Sequence, residues 1–388
     1  MATRTLRYGI VGCGSMGREH IENIQALPAG EGAPCITALA DPHPPSLDAA
    51  MAICRQCPQP FAEHRALIAS GLCDVLVIAS PNHTHAGILR DALATDLDVL
   101  VEKPVVTRMA DGIELVAQER ARHAEGRRGI VWVAQEYRYM PPVAEALRMT
   151  RAGAVGRVQQ VSIREHREPF YPKIGDWNRF NANTGGTLVE KCCHYFNLMD
   201  VITGERPRAV FASGGQRVNH LDERYGGRTP DILDSAFAIV EYPGGARAML
   251  ELCMFAESSV DRESVTIVGD EGKLETFLPS LTLRYGRRAD WGRREWWGQP
   301  SGTGRGVDER RVWDESIRHA GQHFGASYLE HVHFAQALRD GLPPEIPLEE
   351  GLRAVATGLA AHRSIDERRL VELAELLPDR LQPWPPAP

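Results

Sequence analysis

The stretch from Gly185 to Asn197 opens on a glycine pair and carries three ionisable side chains among Leu, Val, Cys and Phe residues. Glu190 lies four positions before His194, and Lys191 lies three before it, so on one helix the three would sit side by side. An imidazole takes up protons near neutral pH, and a neighbouring carboxylate can orient it. A lone histidine on an apolar helix is more often a satisfied core group, but three ionisable residues together are harder to explain in that way, because unpaired buried charge is costly.

Lys103 is a second candidate for chemistry, because it follows the apolar run Val99–Val101 within the sequence Glu102-Lys103-Pro104. An ammonium group at the end of a strand could stabilise a developing alkoxide. Pro104 could fix its position, and the bond before this proline could be cis. The alternative is a surface lysine that pairs with Glu102.

The first apolar run of the chain leads directly into a G-x-G-x-x-G motif and then into a helix-compatible segment. Gly12 would permit the tight turn, Gly14 would let the backbone approach a pyrophosphate, and Gly17 would let the helix pack on the sheet. Ser15 and Met16 lie inside the same loop. The strand–turn–helix context predicts a dinucleotide site that includes these five residues.

Asp41 ends the second apolar strand, Ile36–Ala40. An acidic side chain at this place accepts hydrogen bonds from the adenosine ribose hydroxyls. Because a carboxylate repels a 2′-phosphate, Asp41 favours NAD over NADP as the cofactor. The alternative is a simple turn residue before Pro42.

A polar segment follows the third strongly apolar strand, Asp74–Ala79. Ligands of open α/β sheets bind beyond the carboxyl ends of the strands, so Ser80, Pro81, Asn82 and His85 are candidates for the cofactor site. Asn82 could instead cap the helix that follows.

These candidates require elements that place them together. Residues 1–135 alternate strand and helix signals, which predicts a Rossmann domain with a doubly wound parallel sheet. Residues 136–375 read as an α/β domain with a mostly antiparallel open sheet that binds substrate and forms oligomers, and residues 376–388 as a Pro-rich tail. Within these units we expect a helix over 61–70 and a long loop over 286–310.

Composition narrows the class of protein. The 388 residues have a net charge of −7 with mixed acidic and basic residues, which gives no indication of nucleic-acid or membrane binding. The first strand begins within a few residues, which leaves no room for a signal peptide, and eight scattered cysteines suit a reducing compartment. Cys54 and Cys57 have C-x-x-C spacing without a second pair, so we predict no metal site. Together these features predict a cytoplasmic protein.

Together the motifs resemble the Gfo/Idh/MocA oxidoreductase family, which includes glucose–fructose oxidoreductase and inositol 2-dehydrogenase. The resemblance covers nearly the whole chain and rests on Gly12-x-Gly14-x-x-Gly17, Pro81-Asn82-x-x-His85, Glu102-Lys103-Pro104, Tyr137-Arg138-Tyr139, Gly185-Gly186 with His194, and Val268–Gly272. It implies a tightly held nicotinamide cofactor, substrates that are mostly sugars or polyols, and a homodimer or homotetramer.

The resemblance also assigns roles. Lys103 matches the lysine that contacts the substrate hydroxyl and nicotinamide, His194 matches the catalytic histidine, and Asp41 matches the ribose-binding acid. The chain has Glu190 where many members have Asp, and the division of labour among Glu190, Lys191 and His194 stays open. The residues expected to touch substrate are Lys103, Tyr137, Arg138, Arg164, Trp177, Asn178, Lys191 and His194, and those expected to touch NAD also include Glu102 and Lys103.

The leading hypothesis is an NAD-dependent dehydrogenase of a sugar or cyclic polyol. The runner-up is an NAD-dependent glycosidase that oxidises its substrate transiently, with an anionic sugar glycoside such as a sulfosugar bound by Arg164, His166, Arg167 and Arg179. A non-catalytic sensor on the same scaffold is the third class, and it would have no need of both Lys103 and His194.

Overall fold

The protein is described here by a computed structural model that covers residues 5–28, 32–291 and 306–377. The predicted Pro-rich tail from residue 378 onward and most of the predicted loop over 286–310 therefore lie outside the described residues. Two sheets organise the described part of the chain.

The first sheet has six parallel strands in the order β3-β2-β1-β4-β5-β6. This order confirms the predicted doubly wound Rossmann sheet, in which ligands bind where the strand order reverses, here between β1 and β4. The strands are β1 Arg7–Val11, β2 Cys35–Ala40, β3 Gln59–Phe61, β4 Val75–Ile78, β5 Asp98–Glu102 and β6 Val131–Ala134. The helices between them are α1 Ser15–Ala26, α2 Pro44–Ile53, α3 His64–Ala69, α4 His85–Leu93 and α5 Met109–Ala124.

Burial explains why these segments form central strands. All four residues of β4, Val75–Ile78, are buried, as expected for a strand covered by helices on both faces. The prediction of one helix over 61–70 was wrong at its start, because Phe61 ends the edge strand β3 and the helix begins only at His64. Pro60 lies in that strand, which is tolerated because an edge strand can leave one side unpaired.

The second sheet has nine strands in the order β14-β13-β12-β11-β7-β10-β9-β8-β15. Only β7 and β10 pair in parallel among these strands, so the sheet is mostly antiparallel, as predicted. Its strands are β7 Val158–His166, β8 Ala209–Gly215, β9 Ser235–Glu241, β10 Arg247–Cys253, β11 Glu263–Gly269, β12 Gly272–Leu278, β13 Thr282–Arg287, β14 Val307–Arg311 and β15 Val371–Glu372. The strands β12 to β15 were not predicted, and the predicted loop over 286–310 was wrong at residues 307–310, which belong to β14.

The remaining helices lie between and after these strands: α6 Pro141–Arg151, α7 Asn181–Thr184, α8 Thr187–Glu190, α9 Cys193–Thr203, α10 Ala326–Asp340 and α11 Leu348–Glu367. Two of them connect the two sheets. Helix α10 packs on α1 and on the turn at 136–139, and α11 packs on α5 and β6 on one side and on α9 and β8 on the other. In the described part of the chain, no helix combines the length and the apolar character that crossing a membrane requires.

The predicted division at residues 135 and 375 stays a prediction, although the two sheets fall on either side of the first boundary. The first sheet ends at Ala134, and the second begins at Val158. The strand ends and turns that carry the candidate residues lie between the two sheets.

Candidate active site

The glycine turn lies at the reversal point of the first sheet. Gly12 has φ +92°, and a Cβ at this position would lie 2.5 Å from the Ser80 nitrogen and 2.6 Å from the Ala79 carbonyl. Because only glycine avoids both the strain and the clash, the end of β1 can approach the end of β4 closely. Gly12 and Ser80, two of the residues predicted to touch the cofactor, are thus brought together.

The other two glycines differ in what surrounds them. A Cβ at Gly17 would lie 1.9 Å from the Gly12 carbonyl oxygen, so α1 packs directly on the turn. A Cβ at Gly14 would meet no described atom within 4 Å, and no side chain caps the start of α1. Open space in front of uncapped helix N–H groups, with Ser15 and Met16 in the first turn, fits a pyrophosphate. The residues present therefore fit a dinucleotide.

Asp41 is held against this turn. Its Oδ2 accepts a hydrogen bond from the Cys13 backbone N–H at 2.7 Å, and its Oδ1 accepts one from the His43 N–H at 2.8 Å. The carboxylate serves the local turn and also lies beside the glycine loop, and its contact with a ribose stays a prediction. Its place at the end of β2 suits an adenosine ribose.

The segment after β4 divides into two kinds of residue. Asn82 is buried, and its Nδ2 has no hydrogen-bond partner among the described residues, so it has a donor to offer. The ring nitrogens of His85 instead lie 2.8 Å from the carbonyl oxygens of Ser80 and Pro104. Burial also lowers the pKa of His85. His85 therefore joins the ends of β4 and β5, and direct contact with a cofactor stays a prediction.

Lys103 points away from the predicted surface partner. Its Nζ donates a hydrogen bond to the Glu190 carbonyl oxygen at 3.1 Å, which links the two halves of the molecule. Glu102 instead has its Oε1 3.1 Å from His20 Nε2 and accepts the Lys103 N–H through Oε2. The alternative of a surface Lys103–Glu102 pair was therefore wrong. The Lys103–Pro104 bond is cis.

Charge around Lys103 keeps its ammonium protonated. Burial by itself lowers its pKa, but Cys193, Glu102, Glu136 and Glu190 raise it by more, so the pKa lies above the usual range. A permanent cation next to Glu190 can stabilise negative charge on a substrate oxygen.

The predicted single helix through Glu190 and His194 is broken. Helix α8 ends at Glu190 and α9 begins at Cys193, and the two glycines before α8 have φ of +79° and +94°. The helix is interrupted at Lys191 and Cys192, so the i, i+4 spacing does not describe one continuous helix face. The cluster is nevertheless assembled, because Lys103 Nζ donates to the Glu190 carbonyl oxygen and Lys191 donates to the hydroxyl of the Tyr137 ring on which His194 stacks.

His194 has the environment of a neutral base. Its side chain is 1% exposed, and its ring stacks on Tyr137 with 4.0 Å between ring centroids and 2° between planes. Burial lowers its pKa well below the usual 6.5, and the charges of Lys103 and Lys191 lower it further. Its Nδ1 has no partner among the described residues, so the ring can accept a proton from a ligand.

Lys191 is occupied by other side chains. Its Nζ donates to the Tyr137 hydroxyl at 2.6 Å and lies 3.0 Å from Glu165 Oε1. The contact holds the Tyr137 ring, and thereby the stacked His194 ring, in place.

Glu190 has an unpartnered oxygen. Its Oε2 is buried without a hydrogen-bond partner in the described part of the chain. Burial raises the pKa of Glu190 to about 7, although Lys103, Lys173, Arg167 and Lys191 oppose the increase. A carboxyl that is half ionised near neutral pH can accept a hydrogen bond from a substrate hydroxyl or take up its proton.

Two residues predicted to touch substrate are placed elsewhere. Arg138 forms a buried ion pair with Glu350 and donates to Asn197 Oδ1 at 2.5 Å, so its Nη2 is occupied between α9 and α11, whereas its Nε has no partner among the described residues. Asn178 is fully buried and donates to the Tyr171 carbonyl at 2.9 Å. Both predictions need correction, because these polar groups are paired inside the protein.

Trp177 and Arg164 remain available. The half-buried Trp177 ring lies 6.2 Å from the exposed His83 ring of the segment after β4, measured between centroids. The Arg164 Nε is buried without a partner among the described residues. Contacts of these two with substrate stay predictions.

Sequence reasoning missed Glu136, His323 and Lys173. Glu136 Oε1 lies 3.5 Å from His194 Nε2 and 3.7 Å from His323 Nδ1. Lys173 is close enough to Glu190 and Lys103 for each to affect its pKa, which burial lowers. Glu136 could have been found, because it follows the apolar strand β6, but His323 lies in a segment without any periodic pattern.

A separate group, Glu19, Glu22 and His319, offers three potential ligand atoms within 4.8 Å of one another. Glu19 already accepts the Gln322 backbone N–H at 3.1 Å, and Glu22 is exposed. We do not include this group in the active site.

Two family models together match most of the chain. A family model described as an oxidoreductase family NAD-binding Rossmann fold matches residues 6–127, and one described as the oxidoreductase family C-terminal alpha/beta domain matches residues 148–373. Residues 6–127 are thus an NAD-binding domain.

Individual relatives are more distant. Myo-inositol 2-dehydrogenase of Thermotoga maritima is 22% identical over 381 residues, which are 96% of this chain and 100% of that protein. The putative oxidoreductase YteT of Bacillus subtilis is 32% identical over 143 residues, but these are only 36% of this chain and 32% of YteT. The structure of levoglucosan dehydrogenase with NADH and levoglucosan has a TM-score of 0.80 at 19% identity and covers 95% of this chain and 100% of that one. At this identity the structural likeness shows the fold.

Proposed function

The chain belongs to the Gfo/Idh/MocA oxidoreductase family, and we propose that it is an NAD-dependent dehydrogenase of a sugar or cyclic polyol. One observation carries the proposal: Lys103 from the NAD-binding half reaches the backbone of Glu190 in the other half, next to a neutral, buried His194. The bound cofactor would supply the hydride acceptor, C4 of the nicotinamide.

The side chains divide the remaining work. His194 would take the proton of the reacting hydroxyl, because its imidazole is neutral and its Nδ1 is free of partners among the described residues. Lys103 would hold the resulting oxygen by its positive charge. Glu190 would accept a hydrogen bond from a neighbouring hydroxyl, and Lys191 would position His194 through Tyr137.

We favour a neutral substrate because of how the basic residues predicted to bind an anionic sugar are paired. His166 Nε2 lies 2.9 Å from Glu251 Oε1, and Arg179 Nε donates to Glu223 at 2.9 Å. Arg167 lies between Glu165 and Glu168. These three basic side chains are paired with carboxylates. Fewer unpaired cations are therefore left to bind an anionic glycoside than the sequence indicated. Two relatives are named for an inositol and a levoglucosan activity, which supports the same substrate class.

We also propose that two copies associate through the outer face of the second sheet. Phe211, Ile239 and Met249 lie side by side on β8, β9 and β10, and they are 44%, 44% and 36% exposed. Phe237 on the same face is 58% exposed. A contiguous apolar patch of this kind marks an interaction surface.

The absence of disulfides among eight free cysteines supports a reducing, cytoplasmic setting.

The proposal is tested by mixing purified protein and NAD with inositols, aldoses and uronic acids and following NADH. We expect NADH from at least one neutral polyol or sugar. If glycosides release their aglycone without net NADH, the protein is an NAD-dependent glycosidase instead. If the protein binds NAD but gives neither product across the panel, the dehydrogenase proposal fails.

A further inference from the structure

A carboxyl group lies between two imidazoles, one inside the protein and one near its surface. Glu136 Oε1 is 3.5 Å from Nε2 of His194, whose side chain is 1% exposed, and 3.7 Å from Nδ1 of His323, whose side chain is 20% exposed. We propose that Glu136 and His323 carry the proton from His194 to solvent. This inference rests on the proposed dehydrogenase function, in which His194 must discharge one proton in every turnover.

His194 needs a path for its proton because its side chain is buried. His194 is covered by Tyr137, and burial disfavours a charged imidazole strongly, so a proton taken from substrate would not remain on this ring. The two distances to Glu136 are longer than hydrogen bonds by about 0.5 Å, and catalytic contacts are often this long before substrate binds.

Glu136 binds a proton more tightly than either imidazole, so it can take the proton from His194. Burial raises the pKa of Glu136 to about 8, the charge of Glu102 raises it further, and Lys103 and Lys191 oppose the increase. Burial lowers the pKa of His323 to about 3, so this ring is neutral and can pass a proton but does not store it. The groups that face Glu136 are Glu102, Lys103, Lys191, His194, His323 and Glu330.

The transfers balance. His194 accepts the hydroxyl proton as the hydride leaves the substrate carbon. The neutral Glu136 carboxyl releases its proton to His323, which releases one to water, and Glu136 then takes the proton from His194. Each turnover moves one proton from the active site to solvent, and all three side chains return to their starting states.

The local backbone holds His323 in this position. The neighbouring Phe324 and Gly325 have φ of +56° and +85°, and the Gln322 N–H donates to Glu19 Oε1 at 3.1 Å. The Ser327 hydroxyl lies 3.2 Å from His323 Nδ1. These contacts fix the turn before α10 against α1, so His323 is a positioned group.

The first test measures NADH formation by Glu136→Gln and His323→Gln, with His319→Gln on the same segment as the matched control. We expect kcat to fall about 10-fold to 100-fold in both relay variants, with KM unchanged, which is less than the loss of ~10²–10⁴-fold typical of removing a general base. Added imidazole should restore the rate, because a small diffusible base can replace the path. No loss of rate, or a loss that imidazole does not restore, would overturn the relay.

A second measurement does not depend on turnover. Infrared titration of the wild-type protein should show a protonated carboxyl band that disappears in Glu136→Gln and shifts in His323→Gln. If no substrate yields NADH, the dehydrogenase proposal itself fails, whereas NADH formation without this band overturns the relay alone. A wild-type spectrum identical to that of Glu136→Gln over roughly pH 6 to 9, the range around the raised pKa of Glu136, would overturn the relay.

Discussion

Glu190, Lys191 and His194 share one cluster but have different freedom to act. Lys191 is engaged by Tyr137 and Glu165, whereas His194 and Glu190 each keep an unpartnered buried atom among the described residues. The pKa of His194 is lowered and that of Glu190 is raised to about 7. The two groups therefore titrate in different pH ranges, and kinetics can separate their roles.

We predict that kcat/KM of the wild-type enzyme falls below about pH 7, because protonation of Glu190 removes the negative charge that accepts a substrate hydroxyl. Glu190→Gln should lose this inflection and run at a lower, flat level, whereas Glu190→Asp should keep an inflection. The measurement is the pH profile of NADH formation. An unchanged inflection in Glu190→Gln would assign it to another group.

At the scale of single residues, the sequence was informative where one residue type at one motif position is enough to indicate a role. Lys103 and His194 were found because each belongs to a recognisable motif. Arg138 was assigned to substrate for the same reason, but its partner Glu350 is more than two hundred positions away, and no local pattern reveals that ion pair. Glu136 was missed because its importance depends on His323, which lies far away in the sequence.

At the scale of elements, the turn from β1 into α1 contains one glycine that serves ligand binding and another that serves folding. Gly14 faces open space, whereas Gly17 packs on the Gly12 carbonyl. The two positions belong to one motif, but an added methyl group should affect different properties.

We predict that Gly14→Ala keeps the stability of the protein without NAD but weakens NAD binding at least about tenfold, because the methyl group occupies the space of the pyrophosphate. Gly17→Ala should lower the free energy of unfolding by roughly 1–3 kcal/mol or prevent folding, because overpacking shifts the helix. Gly87→Ala, in α4 with open space around it, is the control and should change neither property adversely. Thermal unfolding and NAD titration measure both effects. Equal NAD affinity in Gly14→Ala would contradict the assignment.

Other elements show where local reasoning fails. The strands of the first sheet were predictable because long apolar runs bounded by turns have few alternatives. The break between α8 and α9 was not, because Lys191 and Cys192 both keep right-handed helical backbone angles and the interruption arises from packing. Strand β15, two residues long, exists only through its pairing with β8.

At the scale of the molecule, the active site is assembled from both sheets, while the outer face of the second sheet is left apolar. We predict that the wild-type protein is a dimer or larger in sedimentation and that Phe237→Asp with Ile239→Asp shifts it to monomer. Val260→Asp, at a site 87% exposed outside the strands, is the control and should leave the assembly intact. A monomeric wild-type protein would contradict this interface.

The central claim is that Lys103 and His194 act together on the hydroxyl that loses its hydride. Its most direct test is the single-turnover rate of NADH formation at saturating NAD and substrate, measured for the wild type, Lys103→Ala and His194→Ala, together with the NAD affinity of each. We predict losses of about 10²–10⁴-fold in both variants with NAD affinity preserved. Wild-type rates in either variant, or a loss explained by failure to bind NAD, would contradict the account.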